Sequence, residues 1–203
     1  MSKTLLLITL FVLGGCAIQP HTRTQSAAPS DWQAYQLRVS QLQDWRLAGK
    51  LGFRGPDGGG SAAVNWQQRQ NNYQLQLSGP FGAGSATISG NQQIAEMLYK
   101  DQLHRQSPEQ LAAQLTGVPL PVNALSWWAR GLPSPDQEIA SSIATSPEGF
   151  ASSFEQAGWQ LTFSRYSETE AGSLPGKIVG SHQASDDRLY SFKLVISDWS
   201  FAK

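Results

Sequence analysis

The chain has 203 residues, and its 15 basic and 15 acidic side chains leave no net charge at neutral pH. This balance offers no basic surface for a phosphate backbone and argues against nucleic acid as a partner. Charged residues make up only 15%, whereas seven tryptophans, eight phenylalanines and five tyrosines supply large apolar area. This profile favours a β-rich exported protein over a cytosolic enzyme.

The amino terminus has the layout of a secretory signal. A basic residue, Lys3, precedes an apolar run over residues 5–13, and two glycines stand before Cys16. As a helix this run would reach about 14 Å, which is too short for a hydrocarbon core of about 30 Å. We therefore predict a signal peptide over residues 1–15.

Cys16 is the only cysteine of the chain and closes the segment Leu13-Gly14-Gly15-Cys16. This segment resembles the lipobox of bacterial lipoproteins, which implies acylation of Cys16. Ala17 follows where an aspartate would favour retention in the inner membrane, so the resemblance implies export to the outer membrane. The alternative is an ordinary signal peptide with an incidental cysteine.

Residues 16–30 contain hardly any large apolar side chain and are expected to be a flexible tether, followed by a single domain over residues 31–203. The domain should open with a helix from Asp31 to about Asp44. The hydrophobic period then changes to two, which predicts a strand over residues 45–54 with one buried face. The same alternation predicts antiparallel strands near residues 64–66, 73–77, 86–88 and 93–99.

Two short helices should interrupt the strands. Ser107 caps the first, Pro108 takes its first position, and it runs to about Leu115. The second runs from Val122 to Arg130. After a polar stretch, strands are predicted near residues 159–163, at 178 and over 189–199. This order predicts a mainly β protein, built as a curved antiparallel sheet or barrel covered on one side by helices.

The sequence contains no recognisable catalytic constellation. Its histidines, His21, His104 and His182, share no metal-ligand spacing and are expected to be solvated. No serine lies in a G-x-S-x-G elbow. The segment from Gly172 to Lys177 is one residue short of a phosphate-binding loop and is expected to be a hairpin turn. We predict no catalytic residue, no metal and no cofactor.

Two features remain without an obvious structural role. Phe81 stands between Pro80 and Gly82 at what should be a hairpin tip, where it either folds back onto the sheet or protrudes toward a membrane or partner. Trp127 and Trp128 are adjacent on the second short helix and must point about 100° apart. They are either ordinary core residues or part of a helical layer over an apolar cavity.

Several segments together resemble the LolB family of outer-membrane lipoprotein receptors. They are Trp45–Leu51, Asn65–Gln68, Gly79–Gly82, Leu115–Pro121 and Trp128–Pro133. The resemblance implies a half-open antiparallel β-barrel with a short helical lid and an N-terminal helix. It further implies a monomer whose apolar interior receives the acyl chains of lipoproteins from the periplasmic carrier LolA.

The resemblance also implies that an apolar residue on the loop Pro80-Phe81-Gly82 helps insert the cargo into the inner leaflet of the outer membrane. The family commonly has leucine where this chain has Phe81, which keeps bulk and apolarity. From the inward strand faces and the lid, the expected cavity walls are Leu47, Leu51, Phe53, Trp66, Leu75, Leu77, Leu111, Leu115, Trp127 and Trp128. A passive assembly scaffold and a lipid hydrolase remain as alternative functions.

Overall fold

The computed structural model describes residues 31–79 and 84–201. The predicted signal peptide, the tether with Cys16 and the loop residues Pro80, Phe81 and Gly82 lie outside these ranges. In chain order the described elements are α1 (Asp31–Ser40), β1 (Asp44–Gly55), β2 (Gly58–Arg69), β3 (Asn72–Ser78), β4 (Ser85–Gly90), β5 (Ala95–Tyr99), β6 (Gln102–Gln106), α2 (Pro108–Thr116), α3 (Val122–Trp128), β7 (Ser141–Thr145), β8 (Ala151–Gln156), β9 (Trp159–Ser164), β10 (Lys177–Gln183) and β11 (Leu189–Phe201).

The strands of the described residues form one antiparallel sheet. Its order is β6-β5-β4-β3-β2-β1-β11-β10-β9-β8-β7. Strands β2 to β5 and β8 to β10 therefore lie between their sequence neighbours, and the first and last strands, β1 and β11, pair at the centre. The edge strands β6 and β7 do not pair with each other, and the sheet is therefore not closed. This confirms the prediction of a mainly β, half-open curved sheet.

One face of the sheet carries the core. On β1 the inward residues Trp45, Leu47 and Leu51 are buried, as the alternation predicts. On β11 the register shifts opposite Ala48 and Gly49, which leaves Ser197 as an extra residue. This bulge returns Trp199 to the inward side, where its ring lies 5.4 Å from that of Trp45.

The helices cover this inward face. The side chain of Ser107 accepts a hydrogen bond from the backbone N–H of Gln110, and the Gln110 side chain accepts one from the backbone N–H of Ser107, so α2 begins with a capping box. It ends at Gly117, whose φ of 70° is the left-handed conformation that glycine tolerates. Leu111 of α2 and Trp128 of α3 are fully buried in the core cluster of the sheet. We call α2 and α3 the helical lid.

The observed helices and strands differ from the predicted ones at three places, where the sequence pattern is weak. Helix α1 ends at Ser40 rather than near Asp44, where β1 begins. Strands β6 and β7 were not predicted because they are edge strands: every residue of β7 is exposed, so no alternation marks it. Strand β8 was not predicted because one of its inward positions holds a polar residue, Gln156. Among the described residues, no helix is long and apolar enough to cross a membrane.

Candidate functional site

An apolar cavity of about 150 Å³ lies between the sheet and the C-terminal end of α2. Leu51 and Phe53 of β1 and Leu77 of β3 form its floor, Tyr99 of β5 lines one side, and Leu115 of α2 covers it. Phe53, Leu77, Tyr99 and Leu115 are only half-buried. Four of the ten predicted wall residues, Leu51, Phe53, Leu77 and Leu115, therefore meet at one cavity.

The base of the predicted insertion loop borders the same cavity. Gly79 and Gly84 both line it, and the backbone N–H of Gly79 donates a hydrogen bond of 3.0 Å to the carbonyl of Gly84. Gly84 has a φ of 73°, the left-handed region that favours glycine. The two described residues that flank the segment with Phe81 therefore both lie at the apolar cavity.

The other predicted wall residues lie elsewhere on the same face. Leu47, Leu75, Leu111 and Trp128 are packed in the core. Trp66 and Trp127 line a second cavity of about 260 Å³ at the opposite end of the inward face, where β1 begins. The predicted set therefore divides between two cavities and the packed layer that separates them.

A buried hydrogen-bond network holds the lid against the sheet. The Trp128 indole stacks on Phe192 of β11, with ring centroids 6.4 Å apart, and donates a 2.8 Å hydrogen bond to Gln156 Oε1. The same Oε1 accepts the backbone N–H of Ser134, and Nε2 donates to the carbonyls of Ser134 and Glu138. The Gln156 side chain thus uses both its acceptor and its donors while it is almost completely buried.

The adjacent tryptophans do face different surroundings. Trp128 packs into the main core, whereas Trp127 packs against a smaller buried cluster of Tyr35, Val39, Leu132 and Leu174. The second apolar side of α3 therefore packs against the cluster that contains Tyr35 and Val39 of α1. This contact explains why α3 carries two adjacent tryptophans, and the sequence pattern alone does not predict it.

Arg130 joins the end of the lid to α1. Its guanidinium lies 4.5 Å from the centre of the Trp127 ring and donates hydrogen bonds to the carbonyls of Val39 and Leu42. The side chain is 4% exposed and forms no ion pair within the described residues. Burial lowers the pKa of Arg130 to about 10, which leaves the side chain charged at neutral pH.

The turn after Arg130 is shaped by close packing. The Tyr35 hydroxyl donates a 2.7 Å hydrogen bond to the Arg130 carbonyl, and burial raises the pKa of Tyr35 well above its usual range. Gly131 has a φ of 75°, and a Cβ atom there would lie 2.7 Å from the Tyr166 hydroxyl. Only glycine fits this position, which accounts for the Arg-Gly pair at the end of the lid.

The described residues contain no group of three or more histidine, cysteine, aspartate or glutamate side chains that could hold a metal ion. His182 is half-buried rather than solvated: its ring stacks on Trp159, and Nδ1 lies 2.7 Å from the Gly158 carbonyl. His104 is also half-buried, on β6, while His21 lies outside the described residues. The segment after Gly172 belongs to the connection between the antiparallel strands β9 and β10, as expected of a hairpin.

Comparison with known proteins identifies the family of this fold and site. The model of the family described as outer membrane lipoprotein LolB matches residues 43–199. The chain is 39% identical over 201 residues to outer-membrane lipoprotein LolB of Cellvibrio japonicus (strain Ueda107), covering 96% of this chain and 94% of that protein. It belongs to the LolB family.

A LolB relative from Ectopseudomonas mendocina (strain ymp) is 34% identical over 204 residues, covering 98% of this chain and 97% of that protein. The fold is similar to the crystal structure of a LolA superfamily protein from Nitrosomonas europaea, with a TM-score of 0.55. That comparison covers 86% of this chain and 95% of the other at 9% identity, so it concerns the fold alone. The LolB resemblance drawn from the sequence segments is confirmed.

Sequence reasoning did not find three residues that shape this site. Tyr99 was placed in a strand whose inward face could not be assigned, and the structure turns Ala95, Met97 and Tyr99 inward. Gln156 gave no signal, because a polar residue in a polar stretch suggests solvent. Arg130 stands at the predicted end of a helix and in the LolB-like segment Trp128–Pro133, but neither pattern assigns its side chain a role. The available signal for a buried cation on an aromatic ring is an arginine close to Trp127 and Trp128.

Proposed function

We propose that this LolB-family protein accepts acylated lipoproteins from the periplasmic carrier LolA and inserts them into the outer membrane, acting as a monomer without catalysing a reaction. The observation that carries this proposal is the apolar cavity under α2, bordered by both ends of the loop that bears Phe81. An acyl chain leaving this cavity would pass Gly79 and Gly84, the described residues on either side of the segment that contains Phe81. The acyl chain would then move only a short distance from the cavity to the membrane.

The energetics of acyl chains favour such a direct handover. Each buried methylene is worth about 0.8 kcal/mol, so release of a long chain into water would be strongly unfavourable. A receptor that binds the chains more tightly than the carrier and less tightly than the bilayer lets cargo move spontaneously. The half-buried side chains around the cavity suit this intermediate role, because they already lie partly exposed to solvent.

The cavity must enlarge to take cargo. Its volume of about 150 Å³ is below the roughly 300–1,000 Å³ of typical ligand pockets. Leu115, on the last turn of α2, is half-buried over the opening, whereas Trp128 of α3 is fully buried and hydrogen-bonded. We infer that α2 moves away from the sheet while α3 stays in place.

Substitution of Leu115 by glutamine tests the cavity. We expect the wild-type protein to bind a fluorescent long-chain fatty acid with a saturating signal, and Leu115→Gln to bind it about tenfold more weakly. The variant removes apolar contact and adds an amide that must lose its water on binding. Fluorescence titration measures both affinities.

Leu98→Gln is the matched control, because Leu98 lies on the outward face of β5 and is 51% exposed. It should bind the fatty acid as the wild type does. Absence of binding by the wild type at micromolar fatty acid would contradict the cavity and favour a scaffold role. Hydrolysis of lipid esters by the purified protein would instead favour an enzyme.

We further propose that Cys16 carries the lipid that anchors the protein to the outer membrane, facing the periplasm. Mass spectrometry of the mature protein should find residue 16 at the amino terminus with acyl chains attached. A Cys16→Ala version exported by another signal should fold and stay soluble, because the sheet and lid are built entirely from residues after the tether. An unmodified thiol at Cys16 in the native protein would refute the anchor.

A further inference from the structure

The hairpin of β5 and β6 carries an apolar patch on its outward face. Leu98 and Leu103 stand directly opposite each other in the register of the two strands and are 51% and 66% exposed. Side chains at opposite positions have Cβ atoms about 4.5–5.5 Å apart, so the two leucines form one patch rather than two isolated residues. We call them the leucine pair.

The leucine pair lies at an open edge of the sheet. Strand β6, which carries Leu103, has no further strand beside it among the described residues. Proteins usually cover or charge an edge strand, because its unpaired backbone groups beside apolar side chains favour association. A single exposed leucine needs no explanation, whereas a facing pair at an edge indicates a surface that meets a partner.

The rest of this outward face carries little charge. On β3 and β4 the outward side chains are uncharged: Asn72, Gln74, Gln76, Ser78, Ser85, Thr87 and Ser89. On β5 and β6 the outward charges are Glu96 and Arg105, which pair with each other at 3.7 Å between Oε1 and Nε. Lys100 and Asp101 in the connecting turn give it no net charge. The face therefore has no net charge to desolvate when it contacts an apolar phase.

The leucine pair lies close to the residues that flank the segment with Phe81. Leu98 stands opposite Thr87 of β4, which is three positions after Gly84. Three residues correspond to about 10 Å along a strand, and Leu103 lies one strand further across the sheet. The patch and the flank of the proposed insertion loop are therefore near neighbours on the same part of the sheet.

The turn between β5 and β6 also borders the apolar cavity. Tyr99 is the last residue of β5 and lines this cavity, and the Lys100 amino group lies 5.2 Å from the centre of its ring. Tyr99 stands opposite Ala86, two positions after Gly84, which places this turn at the same end of the sheet as Gly84. The hairpin thus has the cavity on its inward side and the leucine pair on its outward side.

We propose that the leucine pair rests on the lipid surface of the outer membrane while the loop with Phe81 inserts, so that delivery uses two neighbouring apolar contacts. This inference rests on the proposed receptor function. The family consists of outer-membrane lipoproteins, so a lipid surface is a partner that the protein always has beside it. Because the face has no net charge, the contact depends on apolar area and should be insensitive to salt and to anionic lipid.

An environment-sensitive fluorophore tests the contact directly. Leu103→Cys, labelled with nitrobenzoxadiazole in the lipid-anchored protein, should emit at shorter wavelength than labelled Leu37→Cys on vesicles of phosphatidylethanolamine and phosphatidylglycerol. Leu37 is a comparable leucine, 60% exposed on α1. With Cys16 acylated, the introduced cysteine is the only thiol of the chain. Equal emission from the two positions would overturn the inference.

The double substitution Leu98→Gln with Leu103→Gln tests the role of the pair in delivery. We expect transfer of a lipoprotein to liposomes to become about tenfold slower, because the variant loses apolar contact and adds amides that must lose water. Acceptance from the carrier and fatty-acid affinity should not change, since both side chains point away from the cavity. Leu37→Gln is the matched control and should deliver at the native rate.

The outcomes separate this inference from the receptor function. Native delivery by the double variant would overturn the membrane contact and leave the receptor function intact. Slower acceptance from the carrier would assign the leucine pair to a protein partner, and a wild-type dimer that the double variant dissociates would assign it to a second copy. Either result would overturn the proposal. A wild type that delivers no cargo would instead contradict the receptor function.

Discussion

Replacement of Gln156 by alanine should lower the free energy of unfolding by about 3–5 kcal/mol. The side chain pairs with the Trp128 indole, both backbone groups of Ser134 and the Glu138 carbonyl, all at 2.8 Å. Alanine would leave these groups without partners, and each buried unsatisfied group costs about 1–3 kcal/mol. Urea denaturation measures the loss, which should also loosen α3 from the sheet and weaken fatty-acid binding.

Gln160→Ala is the matched control for this substitution. Gln160 lies on the neighbouring strand β9, directly opposite Glu155, and points to solvent. Its replacement should change the free energy of unfolding by no more than about 0.5 kcal/mol. A loss below about 1 kcal/mol for Gln156→Ala would mean that water reaches the Trp128 indole and the lid is not held by this network.

Replacement of Phe81 by glutamate should abolish delivery of cargo to membranes while leaving its acceptance intact. The carboxylate makes entry of the loop into the apolar interface unfavourable and removes the large apolar side chain of that loop. Acceptance should survive because the described cavity walls are unchanged. Transfer of a lipoprotein from the carrier to the receptor, followed by transfer to liposomes, measures the two steps separately.

Two controls accompany this experiment. Phe81→Leu keeps an apolar side chain and should deliver cargo at a rate close to that of the wild type. Leu37→Glu changes an α1 residue that is 60% exposed. Helix α1 leads into the start of β1, and this end of the sheet lies opposite the end with Gly79 and Gly84. It should not affect delivery. Native delivery by Phe81→Glu would show that the ring serves packing and that the loop does not insert.

Local sequence patterns determined much of the fold. The alternation of Trp45, Leu47 and Leu51 identified the buried face of β1, because a strand turns successive side chains to opposite faces whatever it packs against. Ser107 and Pro108 located the start of α2, because capping satisfies backbone groups of the same turn. These signals depend on neighbours in the chain, and the family resemblance added the expectation of a half-open barrel with a helical lid.

The tertiary structure decided what local patterns do not contain. Strand β7 exists because β8 pairs with it, so its own residues need no alternation. Gln156 can be buried because the indole N–H of Trp128, 28 positions away, donates a hydrogen bond to its side-chain oxygen. Likewise, Leu51 and Leu115 border a cavity while Leu47 and Leu111 are packed, although all four are leucines at inward positions. On strands with clear alternation, such as β1, the sequence determined which side chains face inward. Contacts between distant segments decided the inward side of β5 and β8, and where the interior is filled or stays open.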